Sequence, residues 1–286
     1  SPPLARGERS RYESPALSGE TGTVLDHCHR AAALVLRRGI GEHRLLLMGG
    51  GDWNDGFDAM GERAESVWLT WFASGVFRDF SALLTRLGEP GADRYETAAA
   101  SLGAAANEAW DTDHYLRGYY ADGTPLGASG AAACWIDSVA QSFAAFSPYA
   151  DNVRVQTALT AALDALWDRE KRLIRIYAPP FLPEERTPGY VSTYGPGFRE
   201  NGGQYTHAAV WLALALLRAG RREEAAALAE DIALSLQSDE YGAEPFVLPA
   251  DIAYAPGKEG RAGWSWYTGA AGWYYRLLRE LYGEAP

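Results

Sequence analysis

Apolar residues recur along this chain with the period of a helix, segment after segment, and almost nowhere with the period of a strand. That pattern confines the fold to an assembly of helices. Residues 23–38 carry Val24, His27, Cys28, Ala31, Leu34 and Val35 at helical spacing, and Gly39-Ile40-Gly41 stops them. Residues 66–87 carry a stronger stripe of Trp68, Phe72, Val76, Phe80, Leu83, Leu84 and Leu87, closed by Gly88. Further helices are predicted over 92–110, 137–146, 151–167, 205–218, 221–236 and 269–282. Only 115–120, with Asp122-Gly123 as its turn, and 173–177 read as short strands. Two strands cannot build a core sheet, so the chain is expected to be mainly α.

The helices fall in consecutive pairs with long loops at alternate junctions. Residues 178–203 hold prolines at 179, 180, 183, 188 and 196, and a second long loop carries Pro245, Pro249 and Pro256. Loops of that length inside a compact domain are either functional or disordered. The arrangement suits a toroid of helical hairpins, an (α/α)6 barrel, whose binding face is made of loops. The roughly eight helices counted leave a six-hairpin toroid about four helices short. Residues 1–20 are polar, with prolines at 2, 3 and 15, and read as a linker or extended arm; residues 21–286 read as the partial barrel.

Charge excludes some functions. The chain has 26 basic and 37 acidic residues among 286, a net charge of -11, with no basic run longer than Arg37-Arg38 or Lys171-Arg172. A nucleic-acid partner would need a basic face. The two cysteines, Cys28 and Cys134, lie far apart in apolar surroundings and fit neither a disulfide framework nor a zinc site. They read as buried thiols in a reducing compartment, so a cytoplasmic location is expected. The longest apolar run, residues 208–217, is too short to span a bilayer. No signal peptide is visible, and a first residue of Ser reads as a fragment or a processed form.

Three segments carry chemistry. The first is Gly51-Asp52-Trp53-Asn54-Asp55-Gly56, two carboxylates, an indole and an amide between glycines. A loop of this composition suits a sugar, whose ring faces would stack on Trp53 and whose hydroxyls would bond to Asp52 and Asn54. A carboxyl beside an indole can also be held protonated, as a general acid requires. The same residues equally describe a polar turn in which Asn54 and Asp55 satisfy local backbone groups and Asp52 caps a helix. The second segment, Arg199-Glu200-Asn201-Gly202-Gly203-Gln204-Tyr205-Thr206-His207, joins the Pro-rich loop to an apolar helix. It offers Glu200 and Gln204 to a sugar and places His207 in the first helical turn, where unpaired N–H groups and the helix dipole favour an anion. Read structurally, Asn201 or Thr206 is a cap and His207 a core histidine.

The third segment is Trp264-Ser265-Trp266-Tyr267-Thr268-Gly269-Ala270-Ala271-Gly272-Trp273. The Thr268 hydroxyl and the Gly269 N–H could hold a phosphate or sugar oxygen by the same logic; alternatively Thr268 is a plain N-cap within an aromatic cluster. Ten tryptophans is a high count, and Trp53, Trp264 and Trp266 flank these loops, which favours sugar stacking. Trp68, Trp167 and Trp211 lie on helical stripes and read as core. Asp111-Thr112-Asp113-His114 lacks zinc or calcium spacing and reads as a turn, so no metal is expected.

Together the three segments resemble glycoside hydrolase family 94, which holds the inverting cellobiose, chitobiose and β-1,2-oligoglucan phosphorylases and the phosphorylase-like domain of cyclic β-1,2-glucan synthase. The matching stretches are residues 51–56, 200–207 and 266–273, in the family's order. Weaker matches are Asp137-Ser138-Val139-Ala140-Gln141-Ser142, Glu244-Pro245-Phe246-Val247 and Pro2-Pro3-Leu4-Ala5. The β-1,2-glucan branch is the most similar. The resemblance implies an (α/α)6 barrel preceded by a β-sandwich, with Asp55 as general acid and Trp53 lining the sugar site. It implies Glu200 as a sugar-orienting carboxylate, and His207, Thr268 and Gly269 as phosphate holders. The partners implied are a β-glucan or oligosaccharide and inorganic phosphate as co-substrate, with no cofactor, and a homodimer is common in the family.

The implied reaction is inverting phosphorolysis to an α-glucose 1-phosphate. An inverting hydrolase needs a second carboxylate to activate water, whereas a phosphorylase must instead hold an anion in line. Family members also carry, before the acid loop, an Arg that clamps phosphate and an Asp that holds the sugar. The 50 residues preceding the loop here contain neither that segment nor the β-sandwich, so the chain reads as the C-terminal part of the barrel. Two other readings stand beside this one: an inverting glycosidase with Asp55 as acid and Glu200 as base, and a glycan-binding fragment without turnover.

Overall fold

The computed structural model describes residues 12–14, 17–183, 186–235, 239–245, 247–266 and 268–283, without the Ser235 and Thr268 side chains. Most of the expected arm at 1–20 lies outside these residues. Contacts divide the chain into two units, Ser1–Arg38 and Gly39–Pro286.

The first unit contains α1 (Val24–Arg38). Thr23 starts it: its N–H donates to Asp26 Oδ2 at 2.8 Å, and Asp26 N–H donates to Thr23 Oγ1 at 3.1 Å. Arg37 and Arg38 in the last turn complement the helix dipole. Cys28, expected to be buried, is exposed, whereas Cys134 is buried.

The second unit holds α2 (Val67–Leu87), α3 (Ala92–Glu108), α4 (Ser138–Phe146), α5 (Asn152–Leu166), α6 (Thr206–Arg218), α7 (Arg222–Ser235) and α8 (Thr268–Tyr282). Polar residues at the chain's turns set these boundaries. Ser66, Asp137 and Asp151 accept backbone N–H groups at the starts of α2, α4 and α5, and Gly88 ends α2 in the left-handed region at φ 70°. The helices form two layers. One runs α2, α4, α6, α8, each in contact with the next; α3 packs behind α2, α5 behind α4, and α7 behind α6 and α8. The fold is therefore mainly α, built from successive hairpins. Helix α6 packs against α4, α7 and α8, and ten of its 13 residues are buried, among them Leu212, Leu214 and Leu216. Each such leucine contributes about 1.5–3 kcal/mol.

Strand pairing is more extensive than the two predicted strands. Every ladder is two residues long, too short to leave an alternating signal in sequence. Leu46–Leu47, Glu65–Ser66, Gly118–Tyr119 and Pro125–Leu126 form a four-stranded antiparallel sheet in that order, with Ser66 opposite both Leu46 and Gly118. Gln204–Tyr205 pairs with Asp251–Ile252. These ladders tie loops to the starts of helices and do not form a core layer. The helix predicted over 92–110 ends at Glu108, because Trp110–Asp111 pairs with His114–Tyr115.

The stripe of α2 is only partly core. Trp68, Phe80 and Leu84 are buried, whereas Phe72 is 45% and Val76 44% exposed. Both line a hollow of about 730 Å³ in front of the α2–α4–α6–α8 layer, with Trp68, Phe143, Trp211 and Trp273.

Candidate functional site

The acid loop is built by its own side chains. Asn54 N–H donates to Asp52 Oδ1 at 2.9 Å, Gly56 N–H to Asn54 Oδ1 at 3.0 Å, and Phe57 N–H to Asn54 O at 3.1 Å. The Pro-rich loop docks onto it: Val191 N–H donates to Gly56 O at 3.1 Å, Ala59 N–H to Pro188 O at 2.9 Å, and Tyr190 N–H to Asp58 Oδ1 at 3.0 Å. Asp55 is left exposed at the tip.

Asp52 sits elsewhere than a sugar contact requires. Its carboxylate has no exposed surface and is gripped by Arg117 at 2.6 and 2.7 Å, and Ser66 Oγ donates to it at 2.6 Å. Burial would raise this carboxyl, but Arg117, with the Ser66 and Asn54 hydrogen bonds, outweighs it and holds Asp52 below the usual carboxylate range. Gln204, in the ladder that precedes α6, is likewise buried, and its Oε1 accepts from Ile174 N–H at 2.8 Å.

The remaining residues of the first two segments meet. A cavity of about 390 Å³ is lined by Trp53, Asp55, Glu200 and His207, together with Tyr190, Tyr194 and Arg199. Glu200 pairs with Arg199 at 3.3 Å, whose guanidinium lies 5.0 Å from the Tyr194 ring centre and 5.1 Å from that of Trp264. Asn201 is fully buried and fixes the Pro-rich loop. Its amide accepts from Phe181 N–H at 2.8 Å and Tyr177 OH at 3.2 Å, and donates to Phe181 O at 3.0 Å and Tyr194 O at 2.8 Å. Tyr190, Tyr194 and Arg199 were not singled out by sequence. The usable signal was the charge adjoining Glu200 and two tyrosines in a loop otherwise rich in prolines.

His207 stands in the first turn of α6 among three indoles, with ring centres 4.3 Å from Trp211, 6.0 Å from Trp53 and 6.3 Å from Trp273. Burial lowers its pKa to about 4, so the ring is neutral at neutral pH. Its Nε2 is buried and has no hydrogen-bond partner among the described residues. The third segment reaches it: a Cβ at Gly269 would stand 3.3 Å from His207 Cε1. Thr268 begins α8, and its hydroxyl lies outside the described residues. Trp264 flanks the cavity through Arg199, whereas Trp266 is 72% exposed and its Nε1 donates to Glu244 at 3.2 Å.

The larger hollow lacks such chemistry. Its charged lining consists of the Arg78–Asp79 pair, Arg218 and Arg276, the last two joined to Glu280. Among the described residues no group of His, Cys, Asp and Glu could hold a metal, and no helix is long and apolar enough to cross a membrane. Residues 111–114 form a tight hairpin whose His114 is buried against Asp113 at 2.7 Å and the carbonyl of Trp135 at 2.8 Å.

The chain belongs to the glycosyl hydrolase 94 superfamily, matching its catalytic domain over residues 3–282. It is 42% identical over 285 residues to the cyclic beta-(1,2)-glucan synthase NdvB of Rhizobium meliloti, covering 96% of this chain and 10% of that protein. It is 28% identical over 277 residues to the solabiose phosphorylase of Paenibacillus borealis, covering 93% of this chain and 35% of that one. The chain thus spans about a third or less of the length of these relatives. In fold it is similar to a GH63 mannosylglycerate hydrolase from Thermus thermophilus, with a TM-score of 0.53 at 17% identity over 75% of this chain and 48% of that one.

Proposed function

We propose that this chain carries the acid and the anion-holding side of an inverting carbohydrate phosphorylase acting on a β-linked glucan or disaccharide. One observation carries the reading: Asp55, Trp53, Glu200 and His207 line a single cavity although they come from two distant segments. Asp55 gives its proton to the glycosidic oxygen as the bond from that oxygen to the anomeric carbon breaks. A phosphate oxygen forms the new bond from the opposite face, which leaves an α-sugar 1-phosphate and an Asp55 carboxylate. Trp53 supplies a stacking face, and Glu200, held by Arg199, orients hydroxyls. The neutral His207 offers one N–H to phosphate, and the Gly269 backbone in the first turn of α8 completes that side by positioning and electrostatics. Asp52 and Gln204 serve this site as framework. No cofactor is needed, because phosphate is itself the nucleophile. The synthase and phosphorylase names of the relatives agree with this class.

The test is phosphate-dependent turnover. The chain is incubated with short β-1,2-glucans, with and without phosphate, and α-glucose 1-phosphate is assayed. Product only with phosphate is expected. Reducing sugar released without phosphate would instead select the inverting glycosidase, in which Glu200 activates water. Glucan binding with no turnover in either buffer would select a glycan-binding role.

A further inference from the structure

Behind the acid loop lies a buried ion cluster. Arg117 is 1% exposed and meets Asp52 with a two-pronged fork, Nη1 donating to Oδ2 at 2.6 Å and Nη2 to Oδ1 at 2.7 Å. Its Nε faces Asp137 Oδ2 at 3.3 Å, and its guanidinium lies 5.0 Å from the Phe57 ring centre. Asp137 is the N-cap of α4. Ser66 Oγ donates to Asp52 Oδ2 at 2.6 Å while accepting from Leu69 N–H as the N-cap of α2. The Arg117 backbone is itself fixed, its N–H donating to Leu126 O at 2.8 Å and its carbonyl accepting from Val67 N–H at 3.2 Å. Asp52 is thereby tied to the starts of two helices and to the four-stranded sheet.

The loop needs such an anchor. Gly49, Gly50, Gly51 and Gly56 surround it, and a stretch this rich in glycine has much conformational freedom to lose. Apolar packing could bury Asp52's position at lower desolvation cost. What a bidentate fork adds is orientation, because it fixes a carboxylate in plane and direction. Asp52 Oδ1 then takes the Asn54 N–H, and Asn54 takes the Gly56 N–H, so the constraint passes along the turn to the peptide that bears Asp55.

We infer that Arg117 is a positioning residue for Asp55: through its fork on Asp52 it sets where the acid stands against the glycosidic oxygen. The inference rests on the phosphorylase reading for the reaction it serves, while the anchoring of the loop is independent of that reading.

The test compares the full chain with its Arg117→Lys variant, which keeps the charge and loses the fork. Two substrates are used with phosphate: a β-1,2-linked glucose disaccharide, whose leaving oxygen needs a proton, and dinitrophenyl β-glucoside, whose leaving group does not. Hydrogen exchange of the Asn54 and Gly56 amides is followed beside that of Leu212 in α6. The expected result is a fall of about 100-fold in kcat on the disaccharide, KM within about 3-fold, and the activated glucoside within about 3-fold. Exchange at Asn54 and Gly56 should quicken by at least about 10-fold while Leu212 is unchanged. Equal losses on both substrates, or unchanged exchange in the loop, would overturn the assignment. Should Arg117→Lys not fold, Ser66→Ala carries the same readouts, with about 10-fold expected on the disaccharide alone; unaltered loop exchange there overturns it. If the unsubstituted chain turns over neither substrate, the phosphorylase reading fails, and the exchange comparison still decides the anchoring.

Discussion

The backbone of Gly269 lies against the imidazole of His207, so close that a Cβ there would stand 3.3 Å from Cε1 and 3.4 Å from Nδ1. Gly269→Ala should therefore push the ring or the start of α8 by a few tenths of an ångström. The expected effect is a rise of about 10-fold in KM for phosphate with KM for the sugar little changed. Steady-state kinetics with each substrate varied in turn will show it; equal changes in both would mean that Gly269 does not face the phosphate.

The neutrality of His207 makes stability depend on pH. Its pKa is about 4 in the folded chain, below its ordinary value of 6.5. Between these values the unfolded chain binds a proton that the folded chain does not, so stability is full above pH 6.5 and is lost as pH falls toward 4. With allowance for the ring's partial exposure, the loss is on the order of 2 kcal/mol. Urea melts across this range should show a slope that His207→Gln flattens, and bound phosphate should raise the pKa seen by NMR.

Asp55 is exposed at the loop tip, and among the described residues the hydrogen bonds that shape the loop run through the Asp52 and Asn54 side chains instead. Asp55→Asn should lower turnover of a β-glucan by about 10²–10⁴-fold while the melting temperature stays constant. A thermal melt beside the phosphorolysis assay separates the two effects. A variant that keeps full turnover would remove Asp55 from the role of acid.

Gly56 faces Val191, and a Cβ at 56 would stand 2.7 Å from the Val191 Cβ and 2.9 Å from Asn54 Oδ1. Gly56→Ala should cost about 1–3 kcal/mol of stability and displace the Pro-rich loop from the acid loop. Val191→Ala should recover part of that loss in the double variant, giving a coupling of at least about 0.5 kcal/mol. Additive effects would show that the two loops are not in register as described.

Much of this protein is written locally. The helices of the second unit follow from stripes such as Trp68, Phe80 and Leu84 and from caps such as Ser66, Asp137 and Gly88, because helical periodicity and end groups act within a few residues of sequence. The three segments with chemistry stand out for the same reason, each being contiguous. Less was legible where the determining contact is distant. The two-residue ladders, the exposure of Phe72 and Val76, and the cavity positions of Tyr190 and Tyr194 depend on which loop meets which.

Contiguous stretches were thus enough to settle the helical class and the family and to pick out Asp55, Glu200 and His207, which the fold brings to one cavity, since each is marked by neighbours along the chain. Their division of labour came only from the packing of distant segments. Asp52 and Asp55 are near-identical in local setting, yet Arg117, 65 residues away, buries the first as an anchor and leaves the second free at the tip. The reason is physical: a carboxylate's role is set by the charges and solvent around it, and those arrive from other parts of the fold.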